Sequence, residues 1–239
     1  MLIAVDAAGG DHYPKNPVLG AVDALKVDDS IQVLLLGPED LIQKELLGLE
    51  YDKSRLHIHH APEVIGMDES PSSAVKSKKA SSITLGISAH KQGDCDAFVS
   101  AGNTGALLAA STFILGKLEG VMRPTISATY PTLKGISLLI DAGANLELKP
   151  EMYLQFAKMG SIFAKEILKK PNPSIGLLNI GEEPEKGTDC HKEVYKLLSE
   201  LNGFKGNIEG KDILYGATDI YLTDGFTGNV ILKFGESIP

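Results

Sequence analysis

The sequence predicts an α/β fold, a three-layer α/β/α sandwich on a mostly parallel sheet with some antiparallel strands. Three observations carry that expectation. Short apolar runs of strand length alternate with helical patterns along most of the chain, which is the signature of βα repetition. Three Gly-rich polar turns each follow an apolar run and open a helical pattern: Ala7-Ala-Gly-Gly-Asp-His12, Ala101-Gly-Asn-Thr-Gly-Ala106 and Asp224-Gly-Phe-Thr-Gly-Asn229. Finally, 43% of the 239 residues are hydrophobic, enough for one large domain or two small ones. The organisation expected is a single α/β domain over residues 1–239.

Each element has its own signal. Residues 3–6 form a strand, and 16–25 a helix with Pro17 in its first turn, where a missing N–H does no harm. A strand over 32–36 ends at Gly37-Pro38, a short helix covers 39–47, and a third strand covers 56–59. The polar stretch Met67-Asp-Glu-Ser-Pro-Ser-Ser73 leads into a helix through Ala89, broken near Ser81-Ser82. Residues 97–100 are a strand and 104–115 its helix. The middle differs: strands over 125–130 and 135–141 are separated by only Pro131-Thr-Leu-Lys134, too short for a crossover helix, so they pair antiparallel. Residues 151–170 read as a helix with one inward stripe of Met152, Phe156, Met159, Phe163 and Ile167, stopped by Pro171 and Pro173. A strand at 175–179 follows, then a charged loop over 182–189. A helix over 188–201 points Val194, Leu197, Leu198 and Leu201 inward. Strands at 204–208 and 220–222 precede a last helix over 226–234.

Composition excludes several classes. There are 23 basic and 31 acidic residues, a net charge of -8, which argues against a general nucleic-acid surface. Cys95 and Cys190 make neither a disulfide framework nor a metal spacing, and a reducing, intracellular compartment is the simpler reading. Met1-Leu-Ile-Ala-Val-Asp6 enters an apolar strand without the basic and long apolar regions of a signal peptide. No run approaches the length of a membrane span. The first turn does not place three glycines as Gly-x-Gly-x-x-Gly, and no P-loop sequence occurs.

The three turns together suggest one phosphate-handling cleft. Gly102, Asn103, Thr104 and Gly105 at a helix start can bind an anion through backbone N–H groups and the Thr hydroxyl, or Asn103 and Thr104 can be ordinary caps. Asp6, Asp11 and His12 stand where strand ends line a crevice, or they shape the turn. Two acids there could suggest Mg²⁺, yet no further ligand spacing supports a metal. Arg123, one of only two arginines, can clamp a phosphate bidentately or serve an ion pair. Lys76, Lys78 and Lys79 are the densest basic cluster, or a solvated face. Asp141 and Asn145 end a long apolar strand and reach a cleft. Asn179, Glu182, Glu183 and Lys186 end the next, and Asp224, Thr227 and Asn229 repeat the style of the second turn. His57, His59 and His60 read as sheet residues. Cys95 has no base to activate it.

These residues resemble a known family, the bacterial phosphate acyltransferases of phospholipid synthesis. The matching stretches are Ile3-Ala-Val-Asp-Ala-Ala-Gly-Gly-Asp-His12, Met67-Asp-Glu-Ser-Pro71, Ser100-Ala-Gly-Asn-Thr-Gly-Ala-Leu107, Arg123-Pro124, Asp141-Ala-Gly-Ala-Asn145, Gly176-Leu-Leu-Asn-Ile-Gly-Glu-Glu183 with Lys186-Gly187, Gly206-Asn-Ile-Glu-Gly210 and Asp224-Gly-Phe-Thr-Gly-Asn-Val230. Each piece is weak alone; their order along the whole chain is specific. One departure is Ala8, where the family commonly has Met.

The resemblance implies a fold like the isocitrate/isopropylmalate dehydrogenases and phosphotransacetylases. It implies transfer of a long-chain acyl group from an acyl-carrier-protein thioester to inorganic phosphate, with no cofactor and no metal. It further implies a cytoplasmic homodimer, peripheral contact with the inner face of the membrane, and a downstream acyltransferase that makes acylglycerol phosphate. It also implies that this chain lacks the family's C-terminal part. In that frame Gly102–Gly105 and Arg123 bind phosphate, and Lys186 and Asn229 stabilise developing charge or aid thiolate departure. Asp6, Asp11, His12, Asp141, Asn145 and Asp224 organise the cleft or relay protons. Competing readings are a short-chain coenzyme A:phosphate transferase, a non-catalytic carrier-binding fragment, and a metal-dependent phosphohydrolase.

Overall fold

β1 (Leu2–Asp6) alternates its side chains between two cores, and that alternation organises the first part of the chain. Ile3 and Val5 face a cluster built with Val18, Ala21, Val22 and Leu25 of α1 (Lys15–Val27) and with Ile42 and Leu46 of α2 (Glu39–Leu46). Leu2 and Ala4 face the opposite way, toward Leu85 and Ala89 of α4 (Ser82–Gln92). Both sheet faces are therefore covered, as a parallel sheet requires. The sheet is wholly parallel in the order β3-β2-β1-β4, with β2 at Gln32–Gly37, β3 at Leu56–His60 and β4 at Ala97–Val99. α3 (Pro71–Ser77) and α5 (Thr104–Ala110) pack with α4 on a third cluster around Val75, Ile83 and Ala106.

A computed structural model describes residues 1–237 of the chain. The chain folds as two compact units, residues 1–118 and residues from 119 onward. Each unit has its own sheet and its own clusters of buried apolar residues. Ile238 and Pro239, the end of the expected C-terminal segment, lie outside the described residues.

In the second unit the sheet order is β5-β6-β9-β7-β8, and only β5 (Ser127–Thr132) with β6 (Gly135–Ile140) is antiparallel. The hairpin is tighter than the sequence suggests. Pro131 and Thr132 belong to β5, leaving Leu133 and Lys134 as the turn; β5 is an edge strand, where proline is tolerated. Leu138, Ile140, Ile175, Leu177, Ile220 and Leu222 point to one face. That face is covered by α6 (Pro150–Glu166) and α7 (Asp189–Leu198). Leu139, Leu178 and Tyr221 point to the other, where Ile231 and Leu232 of α8 (Gly225–Gly235) pack. β7 is Ile175–Asn179, β8 is Phe204–Glu209 and β9 is Ile220–Leu222.

Several expectations need correction. α6 ends at Glu166, not Lys170, and Lys169 takes a positive φ of 56° just beyond it. Its inward face is Tyr153, Phe156, Ala157, Gly160 and Ala164. Of the expected stripe Phe156 is buried, while Ile167 is 61% exposed. Small residues face inward because the helix sits close to the sheet: a Cβ on Gly160 would lie 2.7 Å from Ile140 Cδ1. The break near Ser81 is real and is a helix start, with the Ser81 hydroxyl accepting the Thr84 N–H at 3.3 Å. α5 does not run as α-helix to Leu115; Ser111–Leu115 is a π turn. No helix among the described residues is long and apolar enough to cross a membrane.

Candidate functional site

Two of the Gly-rich turns meet in the first unit, around one buried carboxylate. Asp6, at the end of β1, is 2% exposed. Its Oδ1 accepts the Ala8 N–H at 3.0 Å and its Oδ2 accepts the Ser100 hydroxyl at 2.6 Å. The Ser100 oxygen in turn accepts the Gly102 N–H at 3.0 Å. This chain of bonds ties the Ala7–Gly10 turn to the Ala101–Gly105 turn. The approach leaves no room for a side chain: a Cβ on Gly9 would lie 2.7 Å from the Gly102 nitrogen. Gly10 adds a φ of 87°, a conformation glycine takes at little cost.

The second turn sorts its polar groups. Asn103 is buried, its Oδ1 capping α5 by accepting the Ala106 N–H at 3.0 Å. Its Nδ2 donates to the carbonyls of Gly66, Met67 and Glu69. The cap reading therefore holds for the Asn103 side chain, and the Gly102 N–H is already used. Among the described residues the N–H groups of Asn103, Thr104 and Gly105 have no protein partner, and the exposed Thr104 hydroxyl has none either. Asp11 and His12 stand exposed on the neighbouring turn.

The second unit repeats the device. Asp141, fully buried after β6, accepts from Gly143 and Ala144 N–H through Oδ1 at 3.0 and 2.8 Å. Its Oδ2 accepts Asn145 N–H at 2.9 Å and Asn145 Nδ2 at 2.7 Å. Asn145 Nδ2 also donates to the Pro124 carbonyl. With four donors on it, Asp141 holds a turn and has no lone pair directed at a cleft. Asp224 caps α8, its Oδ1 accepting Thr227 N–H and its Oδ2 the Thr227 hydroxyl, both at 2.8 Å. α8 lies tight against this turn: a Cβ on Gly225 would sit 2.7 Å from the Asn145 carbonyl oxygen, and one on Gly228 would overlap the Asp141 carbonyl. Asn229 is exposed and lies against Gly143.

A cavity of about 580 Å³ opens here, lined by Asn179, Thr188, His191, Asp224, Thr227 and Ile231 among others. Lys186 lies in the loop before it, half exposed, with Glu183 at 3.9 Å. Arg123 is exposed and has no ion-pair partner among the described residues. Of the lysine cluster, Lys78 binds Glu69 at 2.5 Å and the Val64 carbonyl, while Lys76 lies over the Phe113 ring. Among the described residues the cluster of possible metal ligands is Glu182, Glu209 and Asp212, with Lys211 paired to Glu209. The histidines of β3 do not form one. Burial raises the Cys95 thiol above its ordinary value, which leaves it a poor nucleophile.

Two participants carry no role in the sequence alone. Ser100 is the link between the first two turns, and its place as the polar residue closing a strand is the available signal. His191 lines the second-unit cavity, one turn after the Thr188 cap. Thr188 Oγ1 accepts the His191 N–H and lies 2.8 Å from His191 Nδ1. Burial lowers the His191 pKa from its ordinary value, with the Asp224 charge opposing.

Comparison with known proteins agrees with this architecture. A phosphotransacetylase from Streptococcus pyogenes superimposes over 99% of this chain and 81% of its own, with a TM-score of 0.69 at 15% identity. A putative 4-hydroxythreonine-4-phosphate dehydrogenase from Salmonella typhimurium does so over 100% and 85%, with a TM-score of 0.55 at 12% identity. Both likenesses are of fold. In sequence, the protein named phosphate acyltransferase from Salinibacter ruber is 51% identical over 99% of this chain and 71% of its own length. The protein of the same name from Acetivibrio thermocellus is 49% identical over 99% and 70%. Residues 1–239 match the family described as fatty acid synthesis protein, and the chain belongs to that family.

Proposed function

We propose that this protein transfers a long-chain acyl group from an acyl-carrier-protein thioester to inorganic phosphate, giving an acyl phosphate for phospholipid synthesis. The observation that carries the reading is the start of α5, where three unpartnered N–H groups stand beside a free Thr104 hydroxyl in a chain of this family. A phosphate oxygen attacks the thioester carbonyl carbon. The C–S bond then breaks, and the carrier leaves as a thiolate that takes up a proton. A large share of phosphate is already dianionic near neutrality, so it needs positioning more than deprotonation.

The phosphate-binding groups are the N–H groups of Asn103, Thr104 and Gly105 and the Thr104 hydroxyl in the first unit, and Arg123 in the second. Lys186 and Asn229 stabilise negative charge as it develops. Asp6, Asp141 and Asn145 act by fixing the turns, Asp224 by starting α8, and Asp11 and His12 by lining the first turn. No protein nucleophile is required. The protein works as a cytoplasmic homodimer that touches the membrane surface and delivers acyl phosphate to an acylglycerol-phosphate-forming acyltransferase.

Purified chain incubated with phosphate and either palmitoyl-carrier-protein or short coenzyme A thioesters tests this. Phosphate-dependent thiol release with the carrier-protein donor is expected. Faster turnover of acetyl- or butyryl-coenzyme A would overturn the substrate assignment.

A further inference from the structure

The first unit contains a half-open groove of about 680 Å³ that the phosphate turns do not account for. Its floor is the α1-facing side of the sheet: Ile3 and Val5 of β1, Val33 of β2 and Val99 of β4, adjacent through the register Ile3–Val33 and Val5–Val99. Its wall is one face of α1, made of Pro17, Gly20, Ala21 and Ala24. Those residues are small, so the helix leaves a channel where larger side chains would close it.

The lining is polarised along its length. Asp6, Asp11, His12 and Asn16 all lie at one end, beside the Gly9-Gly10 turn and Ala101. The other end, at Ala24 and Ile31, is wholly apolar. From Asn16 to Ala24 is eight helical residues, about 12 Å. A polar head and a linear apolar tail match that layout, and the head would lie next to the turn that carries the free N–H groups of α5.

We propose that this groove seats the hydrocarbon chain of the acyl group, its carbonyl at the Gly9-Gly10 turn and its tail running along α1 toward Ile31. The assignment rests on the acyl-transfer reading for the identity of the chain and extends it to where the chain lies. Burial of methylenes in the groove favours long acyl groups over short ones.

Gly20 gives a clean test, because a Cβ there meets nothing within 4 Å. Gly20→Leu adds an apolar side chain at the groove wall from a Cβ position clear of every neighbour, and leucine is a better helix former than glycine. Two quantities are read on wild type and Gly20→Leu: equilibrium binding of cis-parinaric acid, and the ratio of palmitoyl- to butyryl-carrier-protein turnover. The proposal expects parinarate affinity and the turnover ratio both to fall about tenfold, with the melting temperature not reduced. Unchanged parinarate binding would overturn it. So would an altered oligomeric state with an unchanged ratio, since the groove would then be a protein contact. If wild type binds parinarate, Gly20→Leu does not, and neither turns over any thioester, the groove assignment stands and the acyl-transfer reading falls.

Discussion

The His191 ring is set by a single hydroxyl. Thr188 Oγ1 accepts the His191 backbone N–H and lies 2.8 Å from Nδ1, where it donates to a ring carrying its hydrogen on Nε2 or accepts from one carrying it on Nδ1. Burial lowers the pKa from 6.5, opposed by Asp224, so the unfolded chain takes up a proton before the folded one does. That stability is fully present above the unfolded pKa and is lost as pH falls through 6.5 toward the folded value. His191→Gln should therefore flatten the acid side of the stability profile. Urea midpoints measured above and below pH 6.5 check this, and equal slopes for wild type and variant would contradict it. For Thr104→Val the expected change is weaker phosphate use, about 0.5 to 1.5 kcal/mol in apparent binding, with an unaltered circular dichroism spectrum. Lys186→Met should lower turnover far more than melting temperature, because its ion pair with Glu183 is long and exposed. The polar residues at strand ends were legible from sequence. What was not legible is which of them are consumed by the fold. Asp6, Asn103 and Asp141 look like ligands in the sequence and are engaged by hydrogen bonds within the fold, and only the geometry of each turn decides that.

Elements whose signal is local were legible, and those decided by close approach were not. The apolar run of β1 and the short link between β5 and β6 placed the strands, and the break expected near Ser81-Ser82 is where α4 starts. On α6 the large residues suggested the inward face, whereas Ala157, Gly160 and Ala164 are the ones that let the helix reach the sheet. α8 makes the same point at the site. Gly228→Ala would push a methyl into the Asp141 carbonyl, and the helix could seat only by shifting, so unfolding free energy should fall by more than about 2 kcal/mol. Gly20→Ala, in open space on α1, should instead raise it by roughly 0.5 to 1 kcal/mol. Denaturant melts of the two variants separate these outcomes, and the same sign for both would refute the packing account. Asp219 joins elements too: it accepts from Lys170 at 2.6 Å and from the Ser174 N–H and hydroxyl. Burial raises its pKa, but the Lys170 and Ser174 bonds outweigh it and hold the carboxyl below 3.8. The stability it contributes is thus present above pH 3.8 and lost as pH falls through the lower folded value.

Across the whole molecule, βα repetition and 43% hydrophobic content were enough to predict a parallel α/β protein. It folds as two units, each with its own sheet, and the segment that joins them carries Gly116, Gly120 and Pro124. The acidic balance argues against general polyanion binding, and in the proposed reaction anion recognition falls to a few backbone N–H groups and a few local cations. The central claim is that phosphate itself is the acyl acceptor. Phosphate labelled with ¹⁸O on every oxygen, incubated with palmitoyl-carrier-protein and the protein, tests it by the mass of the acyl product. The account predicts palmitoyl phosphate that retains every labelled oxygen, formed in step with free carrier thiol. Unlabelled palmitate, released at the same rate without phosphate, would show a hydrolase and contradict it.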